Sequence, residues 1–184
     1  MPIYTRKGDK GETGLPGKRR LPKTDPLFEV LGTFDQLSAT IGQAISQQDN
    51  HKARDVNVIL RSIQSDLLSL GACLAAEKPS LAPTLTTLDR KITAFEQAID
   101  QWESETGPLQ NFILAGGSRC GAALHLARTV ARQAERSYYL LSRPIEEISR
   151  YLNRLSDLLF QAARVVNFRD GQPEQIWKNP QNYQ

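Results

Sequence analysis

From Pro26 onward the apolar residues recur at helical spacing, in five runs separated by proline or glycine, and this pattern admits little except a bundle of helices. Phe28, Val30, Phe34, Leu37, Ile41 and Ile45 predict a helix over 26–47, opened by Thr24-Asp25-Pro26, a capping side chain followed by proline in the first turn. Val56, Leu60, Ile63, Leu67 and Leu70 predict a second over 51–77, broken by Pro79 and Pro83. Leu85, Leu88, Ile92, Phe95 and Ile99 predict a third over 84–103, ended by Gly107-Pro108. A fourth opens at Gly116-Gly117-Ser118 and runs to about 142, where Ser142-Arg143-Pro144 closes it; a fifth covers 146–168. The fold class is all-α, a five-helix bundle. Strand signals are nearly absent: only Asn111-Phe112-Ile113-Leu114 reads as a short extended piece.

The chain's 184 residues suit a single domain, 1–184, divided into an irregular head (1–24), the helical bundle (25–170) and a polar tail (171–184) that Trp177 can tack down. A net charge of +3, with both signs mixed along the chain, argues against a nucleic-acid partner. No apolar run approaches the ~18 residues of a membrane span, so no membrane role is expected. The N-terminus lacks the basic-then-apolar order of a secretory signal. Cys73 and Cys120 form no disulfide framework and are expected to be buried free thiols. With two histidines and no CxxC or HExxH, a protein-held metal is not expected. A cytoplasmic setting fits these features.

Two regions carry chemistry. The head reads Tyr4-Thr5-Arg6-Lys7-Gly8-Asp9-Lys10-Gly11-Glu12-Thr13-Gly14. Its glycines allow backbone amides to converge on an anion, and its hydroxyls and cations suit phosphate; Asp9 can hold a magnesium-bound water or brace the loop. A solvated arm without regular strand has the same composition. On the fourth helix, Arg128, Arg132, Glu135 and Arg136 fall within a stripe about 100° wide. Guanidiniums so close repel unless an anion faces them, and Glu135 neutralises one at most. Asn153, Asp157, Phe160 and Arg164 form a matching stripe on the fifth helix, where Asn153 offers a base edge both donor and acceptor, and Asp157 can pair with an arginine. A network of interhelical ion pairs accounts for the same stripes.

Three blocks in this order resemble the PduO-type ATP:cob(I)alamin adenosyltransferases: YTRKGDKGETGL with Lys23 and EVLGTFDQLSATIG; FILAGGS with ALHLARTVARQAER; and YLNRLSDLLFQAAR with Trp177. The resemblance runs from Ile3 to Trp177. It implies a homotrimer of five-helix bundles with ATP between neighbouring subunits. Thr5, Arg6, Lys7, Gly8, Thr13, Gly14 and Lys23 would then wrap the triphosphate. Arg132, Gln133, Glu135 and Arg136 correspond to the family's arginine-rich ATP motif, and Asn153 to its adenine-contacting asparagine. Asp35 and Arg128 correspond to a pair that bridges subunits beside the site. Phe112 corresponds to an aromatic residue that packs on the corrinoid and displaces its lower ligand.

The resemblance also implies the reaction: cob(I)alamin attacks the 5′-carbon of ATP, with Mg²⁺ accompanying the nucleotide, and triphosphate leaves. No protein nucleophile is required, so His125 is expected to be structural. A cobalamin-dependent enzyme and a cobalt reductase are the implied partners. The chain departs from the family pattern at Gln133 (arginine is usual), at Arg6-Lys7-Gly8 (Lys-Thr-Gly is usual), at Gln36 and Ser38, and at Ala115. Helical geometry turns Gln133 about 140° from Arg128. These departures make a weakly catalytic or non-catalytic protein that delivers ATP or adenosylcobalamin the alternative reading; a purely structural bundle is a third.

Overall fold

The computed structural model describes residues 4, 6–17, 20–48, 52–76 and 87–178. The helices are α1 (Pro26–Ser46), α2 (Arg54–Ala75), α3 (Leu88–Thr106), α4 (Arg119–Tyr138) and α5 (Glu146–Arg169), preceded by β1 (Glu12–Gly14) and β2 (Arg20–Pro22). Helix α1 packs on α2 and α4, and α5 packs on α4 and α3. Side chains close the ring between α2 and α3: the Trp102 indole donates to Asp55 at 2.8 Å, and Lys91 pairs with Asp66. Asp66 also accepts from the Tyr151 hydroxyl at 2.9 Å, so α2, α3 and α5 meet on one buried carboxylate. Arg169 adds a fork to Asp55 and Glu105, both at 2.7 Å.

The expected punctuation is visible at the helix ends. The Asp25 side chain accepts from Leu27 N at 2.9 Å, ahead of Pro26. Ser118 accepts from Gly121 N at 3.1 Å to open α4. Gly107 takes φ +77° and its N–H donates to Glu103 O at 2.8 Å, ending α3 three residues later than the spacing predicts. Helix α4 stops at Tyr138, short of the predicted 142, because the buried Tyr138 hydroxyl accepts from Ile145 N at 2.7 Å and folds the intervening residues into a turn. Helix α5 is the most enclosed: Gln161 through Asn167 are all buried. Its Asn167 sits against α4 where only glycine leaves room. A Cβ on Gly117 or Gly121 would come within 2.3 or 1.9 Å of Asn167.

Three expectations need correction. The head does contain regular strand: β1 pairs antiparallel with β2, Thr13 facing Leu21, across a turn in which Gly17 has φ +93°. Arg20 pins this hairpin through Lys7 O at 2.8 Å and the Glu12 carboxylate at 3.4 Å, so a long-range side chain supplies what strand propensity does not. Second, an 18-residue stretch of α2 is long and apolar enough to cross a membrane by length and composition, with a mean hydropathy of 1.3 over that stretch. Four of its residues are charged (Arg54, Asp55, Arg61 and Asp66), and the leucines of its second half lift the average. One face, including Val56, Leu60, Ile63 and Leu67, packs in the bundle, while Val58 and Leu68 are exposed. Third, Cys73 is only half-buried; Cys120 is buried, and burial pushes its thiol up to about 11. The extended piece at 111–114 is present: Ile113 bridges Ile176 of the tail.

Candidate active site

Helices α3, α4 and α5 leave an open cleft of about 300 Å³ walled by Arg128 and Arg132 from α4 and by Asp157, Phe160, Gln161 and Arg164 from α5. The two stripes do face one another. One turn along from the cleft, the Asn153 amide donates to Glu135 at 2.9 Å, joining the same two helices.

Charge in this cleft is unbalanced. Among the described residues, no carboxylate pairs with Arg128, Arg132 or Arg136. The Nε of Arg128 is buried without a hydrogen-bond partner among the described residues. Burial, and then the charge of Arg132 one turn away, push the Arg128 guanidinium below its ordinary value. Glu135 binds Asn153 instead of neutralising an arginine, and Asp157 pairs at 3.0 Å with Arg154, which also reaches Glu96 at 3.0 Å. Arg164 is satisfied elsewhere, by Glu174 at 2.6 Å and the Gly107 carbonyl at 3.1 Å. Ion pairing therefore explains Arg154 and Arg164 but leaves Arg128, Arg132 and Arg136. Unmatched guanidiniums on one helix face constitute an anion site.

His125 is 4% exposed, with its ring edge-on to Phe160 at 5.8 Å and its Nδ1 without a hydrogen-bond partner among the described residues. Burial first, then Arg128, hold it below its ordinary value against a smaller upward pull from Glu174. It is a neutral wall residue, which agrees with a structural role. Gln133 is half-buried and does not line the cleft. Arg136 is exposed on the flank beyond Arg132.

The other candidates lie apart from the cleft within one chain. Thr5 lies outside the described residues. Arg6 is exposed at φ +58°, with its guanidinium 5.6 Å from the Tyr4 ring centre. Gly8 and Lys23 do come together: a Cβ on Gly8 would meet Lys23 Nζ at 3.4 Å, and Lys23 N donates to Gly11 O at 2.8 Å. Thr13 and Gly14 stand in β1, and the Lys7 carbonyl is held by Arg20. No described residue of the head lines the arginine cleft. Asp35 is exposed beside an apolar groove of α1 and α2, formed by Leu31, Phe34, Leu67, Leu68, Ala72 and Ala75, on a different surface from Arg128. Phe112 is 78% exposed on the 107–118 connection, its ring edge-on to Trp177 at 6.4 Å.

Gln161, Asn167 and Arg20 escaped the sequence reading. Gln161 follows Asp157 by four residues, and that spacing alone places it in the stripe. Asn167 and Arg20 act through partners far along the chain and leave no local signal. Among the described residues no group of three or more His, Cys, Asp or Glu side chains is placed to hold a metal.

The profile of the family described as cobalamin adenosyltransferase matches residues 3–166. A corrinoid adenosyltransferase of Bacillus subtilis (strain 168) is 42% identical over 175 residues, covering 93% of this chain and 89% of that protein. The corrinoid adenosyltransferase PduO of Citrobacter freundii is 38% identical over 187 residues, covering 100% of this chain and 55% of its own length. A solved structure of a variant PduO-type ATP:corrinoid adenosyltransferase from Lactobacillus reuteri, complexed with cobalamin and ATP, superposes with a TM-score of 0.89 at 31% identity, over 97% of this chain and 100% of that one. Five helices in this order, a cleft whose Arg128 and Arg132 pair with no carboxylate among the described residues, and these similarities together show that the chain belongs to the cobalamin adenosyltransferase family.

Proposed function

We propose that this chain transfers the 5′-deoxyadenosyl group of ATP to cob(I)alamin. The observation that carries the reading is the pair Arg128 and Arg132, cofacial and without carboxylate partners, across from Phe160 and beside Asn153. In the reaction the cobalt electron pair attacks C5′, a cobalt–carbon bond forms, and the C5′–O bond breaks. That bond's electrons leave on triphosphate, and cobalt ends two electrons more oxidised. The protein has no proton to move at the reacting carbon. Its tasks are to hold cobalt and C5′ in line and to stabilise charge growing on the leaving group. Arg132, with Arg136 beside it, is positioned for the second task, and Asn153 with Glu135 offers amide and carboxylate groups to adenine and ribose.

Mg²⁺ fits as a companion of the nucleotide. With no cage of carboxylates among the described residues, phosphate oxygens and water would supply most of its ligands. When bound it would share the neutralisation of the triphosphate with the arginines.

The working unit is a homotrimer. Two observations support this. The arginine cleft and the described residues of the glycine-rich head do not meet within one chain. Asp35 projects beside an apolar groove of about 300 Å³ that continues onto the exposed Leu68, a surface a second copy would cover. A neighbour's Asp35 would then meet Arg128, and its head would close over the cleft. Gln133, turned away from the cleft, gives no reason to prefer a non-catalytic delivery protein. The test is spectroscopic: cob(I)alamin and Mg-ATP are mixed anaerobically with the protein, and adenosylcobalamin formation is followed. Absence of product at saturating ATP would rule out the transfer reading.

A further inference from the structure

The tail and the 107–118 connection hold one another in a short two-stranded clamp. Leu114 N donates to Gln175 O and Trp177 N donates to Phe112 O, both at 2.8 Å, around the Ile113–Ile176 bridge. The Trp177 ring stands edge-on to Phe112. Among the described residues no other hydrogen bond or ring contact holds Phe112 directly, so its position follows the tail.

The tail in turn is anchored on α5. Gln172 N donates to Asn167 O at 2.8 Å, and the Glu174 carboxylate accepts from Arg164 Nε at 2.6 Å. The Arg164 side chain is only 2% exposed and spans three elements: it also holds Gln161 of α5 and the Gly107 carbonyl, where the 107–118 connection begins. Arg164 is the shared wall of the arginine cleft and of a second cavity, about 180 Å³, enclosed by the 113–117 loop, His125 and the tail. Without Glu174, a buried guanidinium would be left facing Arg128 and Arg132 with no carboxylate of its own. It would have to turn, and both ends of the Phe112 segment are attached to it.

We propose that Glu174, through its ion pair with Arg164, is a positioning residue for Phe112, and that the clamped tail is a built part of the corrinoid side of the site. This rests on the transfer reading given above and on the family resemblance, which implies that Phe112 packs on the corrinoid and displaces its lower ligand. Charge-assisted hydrogen bonds to a buried group are strong enough to set such a position, and their loss is expected to change a dependent rate by roughly tenfold.

The test compares two corrinoids: cob(II)alamin, whose lower ligand is a tethered nitrogen base, and cob(II)inamide, whose lower position holds only weakly bound water. Each is supplied with an excess chemical reductant and Mg-ATP. For Glu174→Ala, adenosylation of cobalamin is expected to fall roughly tenfold, that of cobinamide far less, and the KM for ATP to stay unchanged. In the electron paramagnetic resonance spectrum of the ATP complex, the variant should keep the nitrogen splitting of the lower ligand that wild type loses. Glu174→Gln, which retains an acceptor for Arg164, should recover part of the loss. Trp177→Ala, which removes only the ring contact to Phe112, should show the same preference in milder form and keeps the proposal testable if Glu174→Ala folds poorly. Equal losses on both corrinoids, or no loss on either, would overturn the positioning role. Failure of wild type with both corrinoids would overturn the transfer reading itself.

Discussion

Arg132→Ala separates a site residue from a fold residue, because the two roles move stability and rate in opposite directions. Arg132 is exposed, pairs with no carboxylate among the described residues, and sits one turn from Arg128. A like-charge pair at that spacing destabilises a helix by about 0.2–0.5 kcal/mol, and alanine is the better helix former. The variant should therefore be at least as stable as wild type, with a Tm higher by about 1 °C for a chain of this size. Its catalytic loss should be large. A charge-assisted contact to phosphate contributes about 1.5–3 kcal/mol, and each ~1.4 kcal/mol is a decade, so the rate constant should fall roughly ten- to a hundredfold. Gln133→Arg is the internal control: it adds a cation to the same helix but away from the cleft, and should change ATP affinity by much less. The assay is single-turnover formation of adenosylcobalamin, with a thermal melt on the same samples. An Arg132→Ala protein that keeps half the wild-type rate constant, or melts several degrees lower, would refute the assignment.

Sedimentation equilibrium at micromolar concentration should give a trimer for wild type, and Asp35→Arg, which would set a cation against a neighbour's Arg128, should give smaller species. A wild-type monomer would remove the split-site arrangement. His125 carries a pH signature. Its unfolded value lies near 6.5 and its folded value is lowered, so protons bind the unfolded chain preferentially. Stability should hold above about pH 6.5 and decline as the pH falls below it, and His125→Leu should flatten that decline in melts across the range; a parallel decline in the variant would assign it to other groups. Mg-ATP should slow tryptic cleavage at Arg6, Lys7 and Lys10, whereas adenosine should not, and equal rates would detach the head from the nucleotide.

What was legible in the sequence was whatever repeats locally. Helical spacing located all five helices, and Asp25, Gly107 and Ser118 mark ends that capping chemistry dictates. The cofacial stripes of α4 and α5 were legible for the same reason, since 3.6 residues per turn decides which side chains share a face. What was hidden depends on partners far along the chain. Arg164 falls in the same stripe as Asp157 and stays in the cleft wall, yet its charge is already taken up by Glu174, in a tail with no periodicity at all. The hairpin of the head contains glycine and proline, which argue against strand, and exists because Arg20 reaches back to Lys7 and Glu12. Helix α4 ends early because of one tyrosine hydroxyl and the backbone of Ile145.

The fit of Asn167 against Gly117 and Gly121 bears on how this chain can change over generations. Asn167 is committed on both sides: its amide donates to Gly116 O and accepts from Ser118 N, each at 2.9 Å, while its bulk fills the space a Cβ at Gly121 would need. Alanine at 121 cannot enter while asparagine stays, and asparagine cannot shrink without freeing two backbone groups at the start of α4. Any replacement at this junction must pass through a poorly folded intermediate or change both positions at once. Drift should therefore bypass it, leaving the α4–α5 crossing, and with it the spacing of the two stripes that form the cleft, as one of the slowest-changing dimensions of the molecule.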